Sequence, residues 1–172
     1  MKRRTIKAVH ISLCIILCLM IFCGCSNNET PKDYIVEEVK CMVMYGDRDG
    51  AEIDIYKADG SVKQYIIVPY SDSGIDFFAD DLPSDNNIDV KEYSISKDEW
   101  NSIADVIKSN DFMSLPEELP EVEAYDGATC YIEIKTSEGN HVSGGYCAGN
   151  GTGKEHQRFY NIRRTLKDVC YQ

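Results

Sequence analysis

The sequence predicts an α+β domain: a mainly antiparallel β-sheet with two amphipathic helices packed on it. Three observations lead there. Short runs with period-two alternation of apolar and polar residues recur between Ile35 and Cys147. Two pairs of these runs flank Gly-containing turns of hairpin type. Two longer stretches then carry apolar residues at helical spacing behind capping-box signatures. Strands and helices that segregate in this way give α+β rather than alternating βαβ architecture.

The elements follow in chain order. Ile35 to Tyr45 alternates, with Ile35, Val39, Cys41, Val43 and Tyr45 on one face, as in a half-buried strand. After the turn Gly46-Asp47-Arg48-Asp49-Gly50, the runs Glu52–Lys57 and Val62–Val68 flank Asp59-Gly60, a strong hairpin signal. A two-residue turn there pairs Ile53 with Ile66 and Ala51 with Val68. Ser71 to Asp89, rich in Asp, Ser, Asn and Pro, reads as a long loop, and Val90–Ile95 as a further strand. Ser96-Lys97-Asp98-Glu99 is a capping box, with Ile95 and Trp100 placed for a hydrophobic staple. Trp100, Ile103, Ala104 and Ile107 line one helical face that ends near Ser109-Asn110. Pro116 and Pro120 bracket an exposed, extended acidic segment.

Ala128–Thr136 and Asn140–Cys147 form the second hairpin. A turn of Glu138-Gly139 alone sets Cys130 opposite Cys147 but Ile134 against Ser143. A three-residue turn with Gly139 left-handed pairs Ile134 with Val142 and Cys130 with Tyr146. One residue of slip moves every side chain to the other face, so burial favours the three-residue turn. That register puts Cys130 in the core and Cys147 on the opposite face. Thr152-Gly153-Lys154-Glu155 is a second capping box, opening a helix through Phe159, Ile162, Leu166 and Val169.

The N-terminus carries an address. Lys2, Arg3, Arg4 and Lys7 precede an apolar run from Ile11 to Phe22, followed by Cys23-Gly24-Cys25-Ser26. That order is a secretory export signal. Gly24-Cys25 resembles the lipobox of bacterial lipoproteins, which implies cleavage between Gly24 and Cys25 and acylation (palmitate-type chains) of Cys25. Cys23 is a poorer acceptor, because Phe22 would have to enter a peptidase pocket for small residues. Phe22 also stands where lipoboxes usually carry Leu. An uncleaved anchor over 9–25 falls short of the roughly 20 apolar residues a membrane-spanning helix needs. The expected organisation is a lipoprotein signal peptide at 1–24, a tether at 25–32 and a single α+β domain at 33–172. The expected location is the extracytoplasmic face of the cell membrane, held by lipid.

Residues 1–24 contain four of the 18 basic residues and none of the 29 acidic ones, so the mature chain carries a net charge of −15. Nucleic acid is excluded as a partner, because backbone binding needs clustered Lys and Arg. Anionic headgroups repel such a chain too, leaving attachment to the lipid on Cys25. The charge suits a cationic protein or peptide partner. Cys41, Cys130, Cys147 and Cys170 remain in the mature chain, an even number that permits two disulfides with three connectivities. Their spacing is not that of a zinc site.

No motif carries chemistry. Gly149-Asn150-Gly151-Thr152-Gly153-Lys154 has one residue too few for a P-loop, and Glu155 stands in place of the magnesium-binding hydroxyl. Asp47, Asp49 and Glu52, and the loop carboxylates Asp76, Asp80, Asp81, Asp85 and Asp89, offer oxygen ligands for calcium without EF-hand spacing. His141, Cys147 and His156 are the thiol and imidazole groups available to a nucleophilic mechanism. His141 and Cys147 lie roughly 20 Å apart along an extended strand, outside hydrogen-bond reach. The four carboxylates of Glu117, Glu118, Glu121 and Glu123 lack the frame of a glycosidase pair and suit a docking strip for a basic partner. No catalytic residue, metal or cofactor is assigned.

Asp126-Gly127, Ile132 and Ile134, Gly139, Ser143-Gly144-Gly145-Tyr146 and the Phe159/Ile162/Leu166 helix together resemble the C-terminal part of small uncharacterised lipoproteins of Gram-positive, clostridial-type bacteria. The resemblance covers about residues 90–170 and implies extracytoplasmic placement without an activity. Ser143-Gly144-Gly145-Tyr146 is also similar to the Ser-Gly loop of lipoprotein inhibitors of C-type lysozymes, which are small β-barrels without two capped helices. No inhibitory residue is carried over. The expected function is a non-enzymatic, lipid-anchored module that binds a protein, peptide or envelope component. The alternatives are an inhibitor of a cationic hydrolase such as lysozyme, and a hydrolase with an unrecognised site.

Overall fold

The alternating runs pair edge to edge into one antiparallel sheet. A computed structural model describes residues 33–170 except 48, 70–75, 77, 80–81 and 83–87. The strands are β1 (Val36–Met44), β2 (Ala51–Lys57), β3 (Ser61–Ile67), β4 (Ile88–Ser94), β5 (Thr129–Thr136) and β6 (Gly139–Tyr146), in the spatial order β4-β3-β2-β1-β5-β6. Helices α1 (Lys97–Ser109) and α2 (Lys154–Cys170) complete an α+β fold.

β1 lies inside the sheet, and both its faces are buried. Val39 and Cys41 join Tyr56, Val62, Ile132, Ile134 and the apolar faces of both helices. On the far face Met42 joins Ala51, Ile53, Ile55 and Ile67. A bulge between Val36 and Glu38 brings Val36 into the helix-side core and leaves Ile35 66% exposed, so Ile35 does not share the Val39 face as expected. Two-sided burial also encloses Lys40, which is 1% exposed. Its ammonium lies 3.4 Å from Glu133 Oε2 and donates to the Ala79 carbonyl at 2.9 Å. A buried cation needs this company, because desolvation without a partner costs several kcal/mol.

Both hairpins depart by one residue from the expected register. Between β2 and β3 the loop is Ala58-Asp59-Gly60, with Gly60 at φ +85 and its N–H on the Lys57 carbonyl at 2.9 Å. Asp59 Oδ1 accepts from the Ser61 N–H and hydroxyl at 2.9 and 2.7 Å. A turn followed by a left-handed glycine is the three-residue hairpin solution. Ile53 therefore faces Tyr65, not Ile66, and Asp54 faces Gln64.

Between β5 and β6 the loop shortens instead, to Ser137-Glu138, with Thr136 opposite Gly139. The Thr136 hydroxyl closes it, donating to the Gly139 carbonyl at 2.8 Å and accepting from the Glu138 N–H at 3.2 Å. Ile134 faces His141 and Cys130 faces Gly145, so neither Val142 nor Tyr146 takes its expected partner. Cys130 is buried as expected, but His141 and Ser143, not Val142, join it on the helix side. Cys147 is buried too, at 3% exposure, and is not turned to an open face.

The first capping box forms as the sequence predicts. The Ser96 N–H donates to Glu99 Oε2 at 2.6 Å, and the Glu99 N–H donates to Ser96 Oγ at 3.3 Å. The second does not open its helix. The Gln157 N–H bonds the Gly153 carbonyl at 3.1 Å, which puts the N-cap of α2 at Gly153 and leaves Thr152 outside. Arg158 of α2 ties the helices together: Nε donates to the Asn110 carbonyl at 2.6 Å, and Nη2 reaches Ser114 Oγ at 2.7 Å and the Asp111 carbonyl.

The acidic segment between Pro116 and Pro120 is not a free strip. Leu115 and Leu119 are buried. The Leu119 N–H donates to the Gly144 carbonyl at 2.8 Å, and the Gly144 N–H to the Glu117 carbonyl at 3.0 Å, a short parallel bridge along the outer edge of β6. Three side chains bond further carbonyls of the segment: His141 Nε2 on Leu115 at 2.8 Å, Ser143 Oγ on Pro116 at 2.7 Å and His156 Nε2 on Pro120 at 2.9 Å. His156 Nδ1 accepts from the Gly149 N–H at 3.2 Å, which fixes the neutral ring with its proton on Nε2. Its ring also fills the place a side chain on Gly151 would occupy.

His156→Ala strands both backbone partners and leaves a void, with an expected loss of about 2–4 kcal/mol in urea unfolding. His141→Ala, at a half-buried position with one such bond, is expected to cost about 1 kcal/mol in the same measurement.

Candidate functional site

The sequence-derived site residues Gly24 and Cys25 lie outside the described residues, as do Asp80, Asp81 and Asp85 of the acidic loop. Asp76 is turned to a local task, accepting from the Phe78 N–H at 2.9 Å. The thiol and imidazole groups do not converge. His141 and His156 each hold a backbone carbonyl, and the Cys147 sulfur occupies the place a side chain on Gly127 would fill. Cys41, Cys130, Cys147 and Cys170 are free thiols, not the two disulfides that their number permits.

What the fold does bring together is an open cleft of about 440 Å³ beside the outer edge of β6, lined by Phe78, Glu117, Glu118, Tyr131, Asn140, His141 and Val142. Its parts have separate origins. Tyr131 and Val142 stand on the far face of β5 and β6. The parallel bridge carries Glu117 and Glu118 past them, with both side chains exposed. Phe78 meets Tyr131 edge to face, with ring centroids 5.8 Å apart. The Tyr131 hydroxyl donates to Glu118 Oε1 at 2.8 Å. Burial, and then the bond and charge of Glu118, push the Tyr131 phenol up to about 12, so it stays a neutral donor. Aromatic rings and carboxylates are groups that attract cations.

A second cavity, of about 160 Å³, lies between the sheet and α2, lined by Cys41, Val43, Tyr45, Glu52, Asp54, Tyr56, Arg163, Leu166 and Lys167. Gln64, placed opposite Asp54 by the register, donates to Glu52 Oε1 at 2.6 Å and to Asp54 Oδ1 at 3.1 Å. Tyr45 donates to Glu52 Oε2 at 2.7 Å. Burial, and then the charge of Glu52, push the Asp54 carboxyl up to about 6, against the opposing pull of the Gln64 bond. Beside it Cys41 and Cys130 share a thiol–thiol hydrogen bond that pushes Cys41 up and Cys130 down. Cys170 sits between the Tyr56 and Tyr93 hydroxyls at 2.5 and 2.7 Å.

Sequence reasoning missed Gln64, Tyr131 and Phe78 as site residues. Glu52 was read only as a candidate calcium ligand at the turn. The available signal was the alternation of β2, which gives Glu52, Asp54 and Tyr56 one face, opposite Ile53 and Ile55. On sequence alone that face reads as solvent.

The raised Asp54 pKa has a stability consequence of definite sign. The folded protein holds this proton more tightly than the unfolded chain, so ionisation costs stability at pH above about 6 and costs nothing below the unfolded value of 3.8. Asp54→Asn is expected to stabilise the protein by roughly 1–3 kcal/mol at pH 8, with the gain shrinking towards pH 4, in urea unfolding at the two pH values.

No protein-family model matches this chain, and no curated protein matches it.

Proposed function

We propose that this chain is a lipid-anchored extracytoplasmic binding module of a Gram-positive type of envelope, which takes a cationic protein or peptide in the cleft of Glu117, Glu118, Tyr131 and Phe78. One observation carries the ligand class: two exposed carboxylates stand beside an aromatic pair on backbone fixed by five hydrogen bonds, to β6 and to the imidazole of α2. A lysine or arginine side chain suits such a place, with the ring faces contributing roughly 0.5–2 kcal/mol and the carboxylates a comparable amount. The mature charge of −15 draws such a partner in. The lipobox-like Gly24-Cys25 supports the anchor, and among the described residues no helix is long and apolar enough to cross a membrane.

Two experiments test the two halves. Cys25→Ala is expected to move the protein from the membrane pellet to the soluble fraction, and retention in the pellet counts against lipid anchoring. For the cleft, calorimetric titration with trilysine is expected to weaken about tenfold in Glu117→Gln/Glu118→Gln and in Tyr131→Ala, while Asp47→Asn leaves it unchanged. Trilysine binding that ignores the cleft variants, or equal binding of triglutamate, removes the reading. Inhibition of a lysozyme-like enzyme that is sensitive to salt and to the same variants identifies a cationic hydrolase as the partner.

A further inference from the structure

The sheet ends differently on its two sides. The outer edge of β6 is bonded at Gly144 by the backbone of Glu117 and Leu119. β4 pairs with β3 alone, and among the described residues no strand or bridge pairs with its outer edge from Ile88 to Glu92. Such an edge presents a row of unpaired N–H and C=O groups to any strand that can match it. Most of β4 is exposed, and Val90 near its middle is 40% exposed.

The order Asp89-Val90-Lys91 makes this edge complementary to itself. Laid antiparallel on a second β4 about a two-fold axis through Val90, it sets Asp89 opposite Lys91, Lys91 opposite Asp89, and Val90 against Val90. Neighbouring registers fail on charge: an axis through Lys91 opposes two ammonium groups, and one through Asp89 opposes two carboxylates. Like charges directly opposite destabilise a strand pair, and unlike charges stabilise it. The hydrogen-bond pattern also closes, because each pair joins residues of the same parity, so outward amides meet outward carbonyls. Glu92 adds no charge conflict near the axis, since it is held by Lys63 at 2.8 Å. Isologous pairing of one strand with its own copy is the usual way a two-fold dimer extends a sheet.

We propose that β4 is a self-association edge: two copies of this chain join β4 to β4 about a two-fold axis at Val90, making one continuous sheet. The association surface is separate from the cation cleft, which lies beside the opposite edge of the sheet.

The full chain, extracted in detergent, is expected to sediment as a dimer at high protein concentration. Salt is expected to strengthen the dimer, because screening relieves repulsion between two acidic copies. Lys91→Glu is expected to weaken it roughly tenfold, and Asp89→Lys/Lys91→Glu to restore it, because the swap rebuilds both opposite-charge pairs. Val90→Cys places two thiols across the axis. With the thiol oxidant diamide, which takes up the two protons and two electrons they lose, they are expected to form an intermolecular disulfide. Glu92→Cys, opposite Ile88 of the second copy, is not. A chain that stays monomeric at every concentration and salt overturns the proposal, including the case in which β4 serves another protein's strand. So does a double variant as weak as Lys91→Glu alone, or Val90→Cys that crosslinks no better than Glu92→Cys. Substitutions on an exposed edge leave the core untouched, and circular dichroism checks that each variant is folded.

Discussion

Hairpin register decides which side chains this sheet presents to its helices, and register is set by the number of residues in two turns. Side chains alternate with a period of two, so one residue more or fewer reverses the faces of a whole strand. The three-residue loop at Ala58-Asp59-Gly60 places Gln64 across from Asp54. Without that pairing, Glu52 and Asp54 would face the helix side with no amide between them. The two-residue loop at Ser137-Glu138 turns His141 and Ser143 towards α1 and α2, where they meet the carbonyls of Leu115 and Pro116. In the slipped register both would point away, and those carbonyls would lose their partners.

Backbone accounting then links the interior to the surface. The segment from Leu115 to Pro120 buries two leucines, and the backbone groups drawn in with them need partners inside the protein. β6 supplies two of the bonds, His141 and Ser143 supply two more, and His156 reaches from α2 to the last. Leu119 goes in, and Glu117 and Glu118 stay exposed beside Tyr131. The residues that resemble a nucleophilic set in the sequence thus act as fasteners, and the segment they fasten carries the acidic chemistry.

What was legible in the sequence were features whose cause is local. The Ser96–Glu99 box, the Trp100/Ile103/Ile107 face and the strand positions follow from residues a few places apart, and the structure has them where the pattern puts them. The registers were not legible, because each turn had two physically sound solutions. Asp59-Gly60 suits a two-residue turn as well as a left-handed glycine at the end of a longer one. At the other hairpin the Thr136 hydroxyl favours the shorter loop, a side-chain effect that hydrophobic pairing does not register. Lys40 was hidden for a different reason. Period-two alternation assumes one wet face, and β1 has none from Val39 to Met42. The cleft was half legible: Glu117 and Glu118 stood out as charge, but Phe78 and Tyr131 come from parts of the chain that only tertiary contact brings together.

The two polar sites differ in whether the protein has already answered its own charge. In the cavity under α2, Gln64 and Tyr45 occupy carboxylate oxygens and Arg163 and Lys167 stand in the lining, yet Asp54 still holds its proton up to about 6. A group that can relieve its burial by taking a proton has no need of a ligand to do so, and a space of about 160 Å³ is small for one. At the cleft the balance is reversed. Glu117 and Glu118 remain in contact with water, and the Tyr131 hydroxyl occupies one oxygen of Glu118. The rings beside them offer an apolar wall with a negative face, which water cannot exploit and an organic cation can. Charge left uncommitted on backbone held by hydrogen bonds is what separates the β6 cleft from the internal electrostatic compromise under α2, and the proposed ligand reading rests on that difference.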